Sequence, residues 1–203
     1  MSFPAFFQEI PALSLHDDLA EVLGAAAGGL IEYRYEDMVR LAGHSCPTVA
    51  GAWLMARRGL AALYPEGTPQ RGHIRADLRA AQDAGTTGVV GGLLGLITGA
   101  AGEGGFKGLG PRFVRRNLLN YGVEMPAEVR LTRTDSATSV LLSYHPEIVP
   151  PGAGMQTLMP RVVSGQADAA ERAEFARLWQ DRVRRILLEH ADDPAVVVVS
   201  HAA

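Results

Sequence analysis

Between Gly85 and Gly102 the chain carries no charged residue, yet the stretch holds seven glycines and three threonines. A spanning helix needs about 20 strongly apolar residues, and this run has too little bulk. It is read instead as a buried helix of a soluble fold, from about Thr86 to Gly99. Gly88, Gly92, Gly95 and Gly99 recur at helical spacing, and Val89, Leu93, Leu96 and Ile97 supply the bulk. Each interior glycine costs roughly 1 kcal/mol of helix propensity. That cost is offset only where the bare face lets another backbone come close, so the rest of the chain must fold tightly around this segment.

The remaining periodicities supply the surroundings. A helix is expected from Leu15 to Ala27 with Ser14 as its N-cap and Asp17 and Asp18 in its first turn, ended by Gly28-Gly29. Ile31 to Tyr35 alternates, and a turn of helix runs through Met38 to Leu41. From Pro47 a second helix runs to about Tyr64, with Val49, Trp53, Ala56, Leu60 and Leu63 on one face. Gly72 to Ala80 reads as a half-buried strand: Ile74, Ala76 and Leu78 face inward, and His73, Arg75, Asp77 and Arg79 form a solvated face. Glu128–Thr134 and Ala137–Tyr144 flank Asp135-Ser136 as a hairpin. Arg112 to Tyr121 fits either period. Ala167 to His190 is an amphipathic helix with Phe175, Leu178, Trp179, Val183, Ile186 and Leu187 as its stripe, and Val196 to Val199 reads as an edge strand. This order favours α+β, a mixed or antiparallel sheet with helices on one side. It is one domain over 1–203, with a core at 31–146 and a C-terminal helical arm at 160–203. That helix packs on its own sheet or across a two-fold partner, so a homodimer is one expectation.

Charge and cysteine count narrow the function classes. A net charge of −3 provides no basic surplus for nucleic acid or an anionic membrane. One cysteine excludes an intrachain disulfide and multi-thiol zinc ribbons. No basic residue precedes the apolar start, so a secretory signal is not expected and the location is read as cytoplasmic.

The run Gly43-His44-Ser45-Cys46-Pro47 carries the chemistry. Pro47 suits the first helical position, which places Cys46 at a helix N-terminus, where unpaired N–H groups favour a thiolate. His44 is close enough to share a metal with Cys46 if the loop curls. A buried cysteine beside a turn histidine is the structural alternative.

This run, after a short helix and before an Ala-rich one, resembles the family of the formylmethanofuran dehydrogenase E-type subunit. The sequel matches in order: a strand at Ile74–Leu78, a helix ending in Thr98-Gly99, a loop from Gly104 to Gly108 with Lys107, and Asn120-Tyr121-Gly122. The likeness covers roughly Tyr35 to Tyr144. It implies an α+β layer similar to the catalytic domain of glyceraldehyde-3-phosphate dehydrogenase. It also implies zinc or a similar divalent metal near His44 and Cys46, and a role accessory to a molybdenum or tungsten redox system. Thr48 stands where the family has Gly, Ala100 stands in place of a cysteine, and the C-terminal zinc ribbon of many relatives is absent. A third metal ligand must therefore be His, Asp, Glu or water, with His73 as the candidate. An open coordination position suits ligand binding or catalysis.

Glu103 and Lys107 in the glycine loop are candidate acid and base, or anion contacts. Three readings follow: a metal-binding protein using His44 and Cys46; a metal- or thiolate-dependent enzyme acting on a small molecule; and a metal-free interaction protein in which the run only starts a helix.

Overall fold

Proline at the first helical position and an almost wholly apolar sequence make Pro47–Leu63 one unbroken helix, buried nearly all round. The computed structural model, which describes residues 3–201, builds the chain around it. In order come β1 (Leu13–His16), α1 (Asp18–Val22), β2 (Leu30–Tyr33), α2 (Tyr35–Ala42), α3 (Pro47–Leu63), β3 (Ile74–Leu78), α4 (Thr87–Thr98) and β4 (Leu119–Asn120). Then follow β5 (Val129–Arg133), β6 (Ser139–Tyr144), α5 (Met155–Val163), α6 (Ala169–Arg184) and β7 (Val197–His201). The fold is α+β, as expected, with two sheets.

The main sheet has the order β4-β3-β5-β6-β7 and is mixed: the β3–β4 pair is parallel and the other pairs are antiparallel. Ile74, Ala76, Leu78, Val129, Leu131, Val140 and Leu142 turn one face into the core. α3 lies on that face. At Gly59 a Cβ would come 2.8 Å from a Leu131 methyl and 2.9 Å from a Leu142 methyl, so a larger residue there would have to push both leucines aside. α4 packs beside α3, and its glycines do meet other backbone. A Cβ at Gly88 would lie 2.8 Å from the Gln82 carbonyl oxygen, and one at Gly95 2.7 Å from that of Ala100. Gly92 faces open space instead. Among the described residues, no helix is long and apolar enough to cross a membrane.

Three local expectations are corrected. The segment read as one helix from Leu15 is a strand followed by a five-residue helix, because β1 pairs antiparallel with β2 and Asp17, not Ser14, is the N-cap. Arg112 to Tyr121 contributes only the two-residue β4. The outer face of β3 is not simply solvated. Asp77 is 2 % exposed, held by Arg130 at 2.7 Å, Asn120 at 2.9 Å and Arg75 at 3.2 Å.

The amphipathic segment near the C-terminus is α6, started by an Asp168–Glu171 capping box and continued as a π-helical turn over Arg185–Glu189. Val183, Ile186, Leu187, Val196 and Val197 join the same core cluster as α3 and the sheet. Phe175 stacks on Trp179 with ring centroids 5.5 Å apart.

Candidate functional site

α2 stops because Gly43 takes a left-handed conformation (φ 76°) and returns its N–H to the Val39 carbonyl. Four residues later Pro47 begins α3, with Cys46 extended as its N-cap and making no side-chain capping bond. Ser45 anchors the loop between them. Its carbonyl accepts from Trp179 Nε1 at 2.9 Å and Gln180 Nε2 at 3.2 Å, both on α6. Its hydroxyl lies 3.0 Å from the Tyr35 hydroxyl.

His44 is exposed, with Nδ1 2.9 Å from the Ala42 carbonyl. In the neutral ring Nδ1–H donates there and leaves the Nε2 lone pair free. Cys46 is buried among core residues. Burial pushes the Tyr35 phenol up. The Ser45 hydrogen bond opposes that shift, and neighbouring Cys46 adds to it. Burial raises Tyr144 as well, with Arg182 opposing and Cys46 adding. Both phenols therefore stay neutral beside the sulfur.

A cavity of about 260 Å³ opens at the start of α3. Pro47 and Thr48, Leu78 at the end of β3 with Arg79 and Ala80 just beyond it, and Thr86, Thr87 and Val90 around the start of α4 line it. Glu128 and Tyr144 close it. Tyr144 is fixed at both ends: its hydroxyl donates to the Pro47 carbonyl at 2.9 Å, and its backbone N–H donates to Glu128 Oε2 at 2.9 Å. Its ring rests on Gly51, where a Cβ would overlap the ring carbons. Gly51→Ala is expected to tilt the ring out of the cavity wall and to cost about 1–3 kcal/mol by overpacking. Urea unfolding of the variant, with tyrosine absorbance of the native state, checks both effects.

The other expected site residues lie elsewhere. Glu103 and Lys107 are exposed, and neither lines the cavity. His73 sits just before β3 with Nε2 3.1 Å from Asp18 Oδ2, so it turns toward α1. Among the described residues, three donor atoms of His, Cys, Asp or Glu converge at His16, Asp18 and Glu21. Among the described residues, no such group of three includes His44 or Cys46.

Sequence reading missed a charged centre around Asp17. This carboxylate is 3 % exposed and caps α1 through Leu19 N–H and Ala20 N–H. It also accepts from Arg115 at 2.7 Å and Arg71 at 2.8 Å. Burial works to raise its pKa, but Arg71, the Ala20 amide and Arg115 together win and hold it below 3.8. Burial lowers Arg115, with Asp17 opposing. Beside this centre, the hydrogen bond to Gln70 leads in raising the His16 imidazole above 6.5, against desolvation and with Glu21 and Asp18 adding. The Asp17-Asp18 pair was the visible signal, but its arginine partners lie 54 and 98 residues away.

Compared with family models, curated proteins and solved structures, the chain finds no match in any of the three.

Proposed function

We propose that the chain is a divergent member of the formylmethanofuran dehydrogenase E-type family. It would bind zinc or a similar divalent ion through His44 and Cys46, next to a small-molecule cavity. The observation that carries this reading is that the cavity begins at Pro47, the residue directly after Cys46.

The donor set suits the ion: an imidazole nitrogen and a thiolate sulfur are both normal zinc ligands. The Ala42 carbonyl on Nδ1 is the kind of outer contact that fixes a ligating histidine's tautomer. With two protein donors, the remaining positions fall to water or to the bound molecule. A metal there would act as a Lewis acid and a template. The chain's own contribution is positional. Trp179, Gln180 and Tyr35 hold Ser45, and therefore the loop, while Tyr144 and Glu128 fix the far wall. Thr48, Thr86 and Thr87 bring hydroxyls to a cavity whose apolar side is Met55, Leu78 and Val90. That mixture fits a small, partly polar organic molecule. A role accessory to a molybdenum or tungsten redox system rests on the family resemblance alone.

Metal content by plasma mass spectrometry tests the reading. His44→Ala and Cys46→Ala are each expected to lose close to one equivalent relative to wild type. Cobalt(II)-loaded wild type is expected to show thiolate-to-cobalt charge-transfer absorption that Cys46→Ala lacks. Unchanged metal in both variants would sink the proposal. The enzyme reading is favoured by the same cavity. A metal-free protein whose Cys46 is alkylated rapidly at neutral pH would mark the thiolate as a nucleophile rather than a ligand.

A further inference from the structure

We infer that the corner between β1 and α1 is a proton-operated latch: doubly protonated His16 ties α1 to the 68–71 loop, and loss of one ring proton as pH rises frees α1 there. The geometry leaves the neutral ring no satisfied arrangement. The Gln70 side-chain amide donates from Nε2 to the Thr68 carbonyl at 3.1 Å, which turns its Oε1 toward His16 Nδ1, 2.9 Å away. Across the ring, Nε2 lies 3.1 Å from Glu21 Oε2. Both partners are acceptors, and only the imidazolium has two N–H donors to offer them. A neutral ring protonated on Nδ1 sets its Nε2 lone pair against the Glu21 carboxylate. Protonated on Nε2 instead, it sets a lone pair against the Gln70 oxygen, and turning that amide over moves the conflict to the Thr68 carbonyl.

The nearest charges favour the proton. From α1, Asp18 Oδ1 lies 3.2 Å from Nδ1, and Glu21 faces Nε2. The other Asp18 oxygen is 3.1 Å from His73 Nε2, so a second imidazole stands across the same carboxylate. Asp17, next in the chain, is engaged by Arg71 and Arg115. β2 sets Leu30 opposite His16 and Glu32 opposite Ser14, with Glu32 paired to Arg34 at 2.7 Å. The hydrogen bond to Gln70 leads in holding the imidazole above its ordinary 6.5, with Glu21 and Asp18 adding against desolvation. The latch is therefore complete below 6.5 and is lost as pH rises through the higher folded value.

Release is local because the two sides of the latch are held unequally. The loop is pinned to β1 through the backbone: His16 N–H donates to the Pro69 carbonyl at 2.9 Å, and Arg71 N–H donates to that of His16 at 2.7 Å. Gly29 closes off one side of the ring, since a Cβ there would lie 2.7 Å from Nε2. α1 is a five-residue helix in which Ala20 is buried while Val22 is 58 % exposed. A short helix with so little apolar burial opens at low cost. Its Asp17 cap remains when the proton leaves, but the tie through Glu21 does not.

Amide-resolved hydrogen exchange of the full chain from about pH 5 to about pH 8, the range in which histidine switches act, tests the latch once intrinsic exchange rates are divided out. Protection of the α1 amides is expected to fall about three- to ten-fold across that range, the scale of an ion pair with a charge-assisted hydrogen bond. The α3 amides should keep theirs. Glu21→Gln is the deciding variant, because its amide can donate to the neutral Nε2. Its α1 protection is expected to stay at the wild-type low-pH level throughout. Glu21 is exposed, so this variant keeps the fold, which circular dichroism confirms. His16→Gln is expected to be flat at the wild-type high-pH level. Flat protection in wild type, an equal fall in α3, or a pH dependence that survives either substitution overturns the inference.

Discussion

Asp17→Ala is expected to lower the free energy of unfolding by about 3–5 kcal/mol, the usual result of removing one partner from a buried ion pair. The side chain has three tasks at once. It ends the β1 strand by capping α1, and it neutralises both Arg71 and Arg115. Arg115 is 6 % exposed and lies against Gly72 and Gly99, so it has no route to solvent once its carboxylate is gone. Asp17→Asn keeps an oxygen for the Leu19 and Ala20 amides but loses the charge, and it is expected to fall between wild type and alanine. Urea unfolding of the three proteins ranks them. The sign of the pH effect follows from the depressed carboxyl. Its contribution is complete above the ordinary value of 3.8 and is lost as pH falls through the lower folded value. The acid limb of the stability curve should therefore be shallower in Asp17→Asn than in wild type.

Trp53→Ala is expected to cost a similar amount, about 3–5 kcal/mol, through the cavity that it leaves. Trp53 is fully buried at the centre of α3. It meets Tyr35 edge-on at 6.1 Å between centroids, and Tyr35 meets Phe7 in the same manner at 4.9 Å. This aromatic chain fixes the Ala5–Glu9 3-10 turn and α2 to α3. It also sets the Tyr35 hydroxyl on Ser45. Trp53→Phe is expected to recover most of the stability. In Trp53→Ala the loop at Ser45 should loosen as well, seen as faster amide exchange at His44 and Ser45 than in Trp53→Phe.

Where structure comes from local pattern, the sequence announces it. α3 has its proline start and its apolar face, and the β5–β6 hairpin has alternation on both sides of Asp135-Ser136. The glycine-rich α4 is legible for the same reason. β1 is not, because Leu15-His16-Asp17-Asp18 also satisfies the rules for a helix start, and only the pairing with β2 decides between them. α5 is hidden by Pro160 inside it. The Asp77 face looks solvated because Asn120 and Arg130 arrive from 43 and 53 residues away. The candidate site divides along the same line. Cys46 at a helix start is visible from Pro47 alone, whereas the cavity needs β3, α4 and β6 together. Convergence of His16 with Glu21 depends on a strand-to-helix corner that periodicity does not reveal.

The two bonds from α6 to the Ser45 carbonyl span 134 and 135 residues, which places the loop late in any order of assembly. On a growing polypeptide made at about 5–20 residues per second, roughly 7–27 seconds separate the appearance of Ser45 from that of its clamp. During that interval the loop lacks its α6 clamp, so His44 and Cys46 are presented to the surroundings before the fold can fix their spacing. Any ion captured then is held by a nascent chain and not by a finished site. Under the metal-binding reading proposed above, loading would be coupled to the timing of synthesis as well as to affinity.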